Sequence, residues 1–396
     1  MIKFLSIPLI LSGILIFTPI GVTSFDSILY LFFTLIYLFI NNFKLPKKEL
    51  ILFANIVFIL FAIIIAQIFL IDIVSIQNYL INAIRFLYIL LISFFVARIL
   101  STNYESSINT INISIIISAI FLIYDYFFPM FIEYSEYTYF GISNFPRPRG
   151  LHAEPSFFVI FCASLLIIRE ILYLNYQKMF SPIFTQNNFL KTDIILLASL
   201  FLSLSISGLI VSLYVISRHI EFNLLKKRNL IILTTFSLFL LALTLLNFSY
   251  FFSRFVDFGT DNSFFLRLIG GLYLFYLTMI SEPLLGFGFG HFQLGILMDE
   301  ITNLNNLLPS SYDECLASGA CAPETQVSPS MFISYFYFVL GLPGIAFLIY
   351  ILKLAYDNCG ISIFILFSFI LLGKGDIFYI YFYVIFFLLL NKNAYR

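Results

Sequence analysis

Charge is what this sequence has least of. Only 11% of its 396 residues are Asp, Glu, Lys or Arg, where soluble domains carry roughly 25%. A chain so poor in charge and 61% hydrophobic cannot cover itself for water, which excludes a soluble globule. Its formal net charge is zero, so no global field draws it to nucleic acid. The four cysteines form no C-x-x-C pair and the three histidines are scattered, which argues against a structural zinc site. Regular alternation of polar and apolar residues, the mark of a membrane barrel, is missing as well.

What the chain has is continuous apolar sequence, such as LILSGILIF and FILFAIIIAQIFLI, and a mean hydropathy of +1.02. Runs near the length that crosses a bilayer recur from end to end. The fold class this implies is all-α, a polytopic bundle forming a single integral membrane domain over 1–396. Spans are expected at about 4–21, 24–43, 50–71, 79–97, 108–128 and 155–174, each near the ~20 residues a crossing needs. The first follows Met1, Ile2 and Lys3 with no small-residue cleavage site, and reads as a retained span.

Lys and Arg orient the map. Placing the N-terminus inside puts Lys44, Lys47, Lys48, Arg98, Arg169, Lys178 and Lys191 on the cytoplasmic side. The apolar stretch from Thr192 to Phe222 then ends in Arg218, Lys226, Lys227 and Arg228. One long helix would carry that cluster outside. Two half-length helices, about 192–205 and 209–223, turning at Ser205-Ile206-Ser207-Gly208, keep it inside, with the turn shielded within protein. Spans at about 229–248, 330–352, 360–373 and 377–391 complete about twelve, with both termini cytoplasmic. Two outer segments remain, 129–154 and a large loop, 250–329, between spans nine and ten. Within the latter, LRLIGGLYLFYLTMI is expected to form a helix on or partly in the membrane. Nearly all charge is expected at the rims.

On this map all but six of the 21 Lys and Arg residues are inside. The exceptions are Arg147, Arg149, Arg254, Arg267 and Lys374, with Arg85 just below the outer surface. Outward cations oppose the insertion bias, and all but one of these are arginine. They either snorkel to headgroups and pair with outer acids, or use their planar forks to hold phosphate oxygens. Arg147 and Arg149, stiffened by Pro146 and Pro148, favour the second use. Glu154-Pro155-Ser156 reads as a helix entrance, with proline at the first helical position and a carboxylate at the positive dipole end. Helix entry alone leaves the arginines, Gly150 and His152 unexplained.

RPRGLHAEPSFF, just before a mid-chain span, resembles the R-x-x-G-x-x-x-E-P-S signature of Wzy-type O-antigen and capsular polysaccharide polymerases, matching at Arg147, Gly150, Glu154, Pro155 and Ser156. LSLSISGLI at 202–210 is similar to that family's serine-rich turn between half-length spans. EPLLGFGFGHF at 282–292 resembles the P-L-x-G-x-G-x-G-x-F segment of the polymerase and O-antigen ligase superfamily. LGLPGI at 340–345 resembles the G-L-x-G that opens the helix after the large loop. Ligases carry a histidine about eleven residues before that glycine. Ser330 stands there, and His291 is the long loop's one histidine, which weighs against a ligase.

The resemblance implies glycosyl transfer at the outer face of the bacterial cytoplasmic membrane, with undecaprenyl-diphosphate-linked oligosaccharide as both donor and acceptor. Membrane lipids and a chain-length regulator protein are the other expected partners. An acceptor hydroxyl attacks the donor's anomeric carbon and the lipid diphosphate leaves. Preorganised cations stabilise such a leaving group. No D-x-D or similar carboxylate pair stands early in the outer loops, so the reading is metal-independent and without cofactor, with arginines in the metal's place. Arg147, Arg149 and Arg267 come first as diphosphate ligands, then Arg254 and Arg85. Glu154 is the candidate catalytic base, with His152 next. Gly286, Gly288 and Gly290 either bring N–H groups to phosphate or permit a tight turn. Cys315 and Cys321, both outside on this map, are expected to close a small disulfide loop. A ligase, or a flippase or transporter for lipid-linked oligosaccharide, are the competing readings.

Overall fold

Helix after helix is the expected outcome of runs dominated by Ile, Leu and Phe, because a backbone away from water must satisfy its own polar groups. The computed structural model describes residues 2–11, 15–18, 21–42, 46–71, 76–128, 155–179, 190–203, 205–219, 270–281, 284–289, 331–373 and 379–394. Among these, five helices are long and apolar enough to cross a membrane. They are α3 (Lys47–Leu70), α4 (Ile76–Thr102), α5 (Tyr104–Phe127), most of α6 (Pro155–Met179) and α10 (Phe332–Cys359). Shorter helices are α1 (Ser6–Ile10), α2 (Phe25–Ile40), α7 (Leu190–Leu202), α8 (Ile206–His219), α9 (Gly270–Ser281), α11 (Ile361–Leu372) and α12 (Ile380–Ala394).

The N-terminal stretch departs from the expectation of a span over 4–21. A single 3-10 turn (Ile2–Leu5) and α1 are followed by two antiparallel strands, β1 (Leu15–Thr18) and β2 (Gly21–Ser24), with Leu15 opposite Ser24 and Thr18 opposite Gly21. Apolar composition was the wrong guide here. Gly13, Pro19 and Gly21 interrupt any helix, and the β-branched Ile16 and Val22 suit a strand. The expected second span appears as the shorter α2.

Contacts divide the chain into two compact units. The first comprises Met1–Tyr37 with Arg98–Phe255, and the second Leu38–Ala97 with Val256–Arg396. In the first, Asn103 separates α4 from α5, its side chain accepting from Ser106 N–H at 3.0 Å as an N-cap. Helix α6 begins at Pro155, as its sequence foretells, and packs on α5 and α8. It is 89% buried over its most apolar window, whereas α3 in the second unit is 11% buried over its own. Helices α7 and α8 pack on each other, and α7 also packs on α5. The two are separate half-length helices, broken between Leu202 and Ile206. Gly208 permits the close return, since a Cβ there would stand 2.6 Å from the Leu200 carbonyl oxygen.

In the second unit, α9 packs along α10, with Gly271 against Met331 and the Phe275 ring 4.7 Å from that of Tyr337. Helix α10, which covers the span expected at 330–352, is not straight. Gly341 adopts φ 60°, ψ −149°, followed by Pro343. Phe336 stacks on Phe347 at 5.8 Å, whereas eleven residues of straight helix cover about 16 Å. The chain therefore doubles back at Gly341, giving limbs of residues 332–340 and 342–359. Phe382 of α12 packs on Phe332, Phe336 and Phe367 to close this aromatic core.

Candidate functional site

The doubled helix creates a problem of its own. A helix interrupted at Gly341 and Pro343 frees the carbonyls that precede it, because Pro343 has no N–H for Val339 four residues back. Unpaired carbonyls in an apolar bundle cost about 1–3 kcal/mol each. The turn at 284–289 and α3 supply the missing donors. Phe287 N–H donates to the Phe338 carbonyl at 2.7 Å. The Gln67 amide nitrogen donates to Val339 at 2.7 Å and to Leu285 at 2.6 Å. The Tyr79 hydroxyl lies 2.8 Å from Gln67 Oε1 and 3.0 Å from the Ile64 carbonyl oxygen. Asn82 Nδ2 donates to the Phe289 carbonyl at 3.2 Å.

Glycine is required at the approach. A Cβ on Gly286 (φ +68°) would lie 2.5 Å from the Phe338 oxygen and 2.6 Å from the Gly341 nitrogen. One on Gly341 would lie 2.4 Å from the Gly286 nitrogen. Two segments far apart in sequence, LGFGF and LGLPG, thus form one backbone-to-backbone contact. Gly286 and Gly288 stand in a tight turn with positive φ, and Gly290 lies outside the described residues.

The first unit holds a polar group of another kind. Arg169 of α6, wholly buried, donates through Nη1 to Asp193 Oδ1 of α7 at 2.7 Å and to Asn112 Oδ1 of α5 at 3.2 Å. His219 Nε2, at the end of α8, lies 2.7 Å from Asp193 Oδ2. Arg218 pairs with Glu170. Two guanidinium groups, Arg169 and Arg218, thus stand against two carboxylates, Asp193 and Glu170, as a group so enclosed needs. Arg169, which the sequence map puts on the cytoplasmic side, is thus enclosed among helices with its acid partner. Helix α6 continues past Arg169 to Met179, and the charges of three helices, with Asn112 of a fourth, meet in this group. Sequence carried one signal for it, charged residues within apolar helices, whose partners a linear reading cannot pair.

The remaining sequence candidates fall as follows. Arg85 lies in α4, half-buried and one turn beyond Asn82. Ser156 is buried in the first turn of α6. Arg147, Arg149, His152, Glu154, Arg254, Arg267, Cys315 and Cys321 lie outside the described residues, as do 129–154 and most of 250–329. Among the described residues, no group of three or more His, Cys, Asp and Glu side chains is placed to hold a metal. Gln67, Tyr79 and the Arg169 group are the polar residues that sequence reading missed.

No known protein family, curated protein or solved structure matches the chain.

Proposed function

We propose that this chain is a membrane glycosyltransferase, a polysaccharide polymerase that transfers undecaprenyl-diphosphate-linked glycan onto the next lipid-linked repeat unit. The work is done at the outer face of the bacterial cytoplasmic membrane, with both termini inside and 129–154 and 250–329 outside. The observation that carries the reading is the meeting of Gly286 with Gly341. Two of the short motifs that resemble the superfamily gain a shared physical purpose, since each needs glycine because of the other. The half-length pair α7 and α8, at the serine-rich stretch, supports the same reading. In it, Arg147, Arg149 and Arg267, with Arg254 and Arg85, neutralise the leaving diphosphate. Glu154 or His152 takes the acceptor's proton.

Lysine cannot present two parallel donors. Arg147→Lys and Arg149→Lys should therefore lose most activity at normal protein level, as should Glu154→Gln. Deleting the gene should collapse the ladder of surface-glycan lengths to one short band, because single units are still exported and attached. An unchanged ladder, or a bare acceptor with polymer held on carrier lipid, would sink the polymerase reading.

One observation favours a second reading, a flippase or transporter for lipid-linked oligosaccharide. Ionisable residues buried among membrane helices, with half-length helices beside them, mark substrate paths in transporters, and the Arg169–Asp193–His219 group is of that kind. Deletion would then trap single units on the cytoplasmic side.

A further inference from the structure

Gln67 stands alone as an amide in FILFAIIIAQIFLI, among residues that have no use for one. Placing a polar side chain in such a run costs free energy unless its bonds are made. Its two donors leave their own helix altogether, for Leu285 on the turn and Val339 on the doubled helix. Its oxygen faces the Tyr79 hydroxyl, which fixes the amide's orientation, because a flipped amide would set oxygen against two carbonyls. Gly288 (φ +75°) completes the fit, since a Cβ there would stand 2.9 Å from the Tyr79 ring and 3.3 Å from Gln67 Oε1. The Tyr79 ring also meets Phe289 edge-on at 5.9 Å. One amide thus ties a turn to a helix break.

We infer that Gln67, held by Tyr79, is the positioning residue for the 284–289 turn. Its consequence for catalysis rests on the polymerase reading, because only there does the loop to which that turn belongs act on substrate. Gln67→Met separates this role from simple space-filling. Methionine matches glutamine in length and suits an apolar bundle better, so a filler would be unharmed by it. A clamp would lose both donors. Tyr79→Phe is the milder probe, removing one hydroxyl and keeping the ring on Phe289.

The experiment is amide hydrogen exchange, read by mass spectrometry, on the full-length chain in lipid nanodiscs. In Gln67→Met the peptide covering 284–289 should exchange roughly tenfold faster, the factor expected for losing one buried hydrogen bond. Tyr79→Phe should give a smaller rise, while α3 peptides N-terminal to Ile64 stay unchanged. In cells, both variants should shorten the glycan ladder at normal protein level. If Gln67→Met is not produced, Tyr79→Phe decides. Unchanged exchange over 284–289 would overturn the inference. Faster exchange with an unaltered ladder, in a strain whose ladder collapses on deletion, would overturn the positioning role. Faster exchange with a ladder that deletion leaves intact would retain the clamp and overturn the polymerase reading.

Discussion

One polar group in each unit is buried, and by opposite means. The first brings whole charges together, Arg169 and Arg218 with Asp193 and Glu170, so that each ion's cost is met by another ion. The second buries neutral groups, an amide and a phenol, against backbone carbonyls that a broken helix has freed. The charged group ties four helices through side chains and leaves their backbones regular. The neutral clamp exists because one backbone is irregular. A side chain that repairs backbone can be exchanged only for another with the same donors. A balanced set of charges can instead be removed as a set.

Backbone is the harder to alter, so the largest expected effect lies there. Gly341→Ala would place a Cβ within 2.7 Å of three backbone atoms of residues 284–286, in a conformation with φ 60°. None of those atoms can swing aside as a side-chain tip would. The cost should exceed about 5 kcal/mol and leave little folded protein. Gly360→Ala is the matching control, with φ +84° and nothing within 4 Å of its Cβ. It should cost only the strain, about 1–3 kcal/mol. Protein abundance and thermal unfolding in detergent distinguish the two, and equal losses would mean that contact with the turn is unimportant.

Next comes the charged group. Asp193→Leu leaves Arg169 and His219 facing an apolar side chain, which should cost about 3–5 kcal/mol. Adding Arg169→Met to it should recover much of the loss, since no orphan charge then remains. The corresponding pair in the second unit, Gln67→Met with Tyr79→Phe, should recover nothing, because the Leu285 and Val339 carbonyls stay unpaired. One double-mutant cycle with recovery and one without would establish the contrast. Recovery in both would break it.

How much of this was legible in the sequence follows from the same division. Apolar runs marked α3 to α6, because burial of helical backbone in lipid depends on composition. Pro155 marked the start of α6, and the basic residues after Phe222, with the glycine at 208, marked the break between α7 and α8. The stretch from Leu15 to Ser24 was misread as part of a span, since hydropathy counts leucine and isoleucine without seeing Pro19 and Gly21 as punctuation. The glycines at 286, 288 and 341 stood out as a pattern, but that they are complementary is a tertiary fact. The partners of Gln67 and Arg169 were invisible for the same reason. A polar residue in an apolar run declares a need for partners, and the partners of these two lie on other helices.

The smallest effect compares single hydrogen bonds across the two units. Ser93 Oγ, wholly buried, donates to the Ile380 carbonyl at 3.1 Å, a neutral pair in the second unit. That carbonyl opens α12 and has a helical donor of its own in reach, so losing the hydroxyl strands nothing. Ser93→Ala should cost about 0.6 kcal/mol, the average for polar contacts between membrane helices. Asn112 Oδ1 accepts from Arg169 at 3.2 Å, and its loss removes a contact to a buried cation that Asp193 continues to hold. Asn112→Ala should therefore cost more, about 1.5–3 kcal/mol, the range for bonds to charged groups. Melting temperatures of the two variants in the same detergent give the comparison directly. If Asn112→Ala were the milder, the Arg169 charge would have to be satisfied by Asp193 alone, and the first unit would depend on one ion pair rather than on a group.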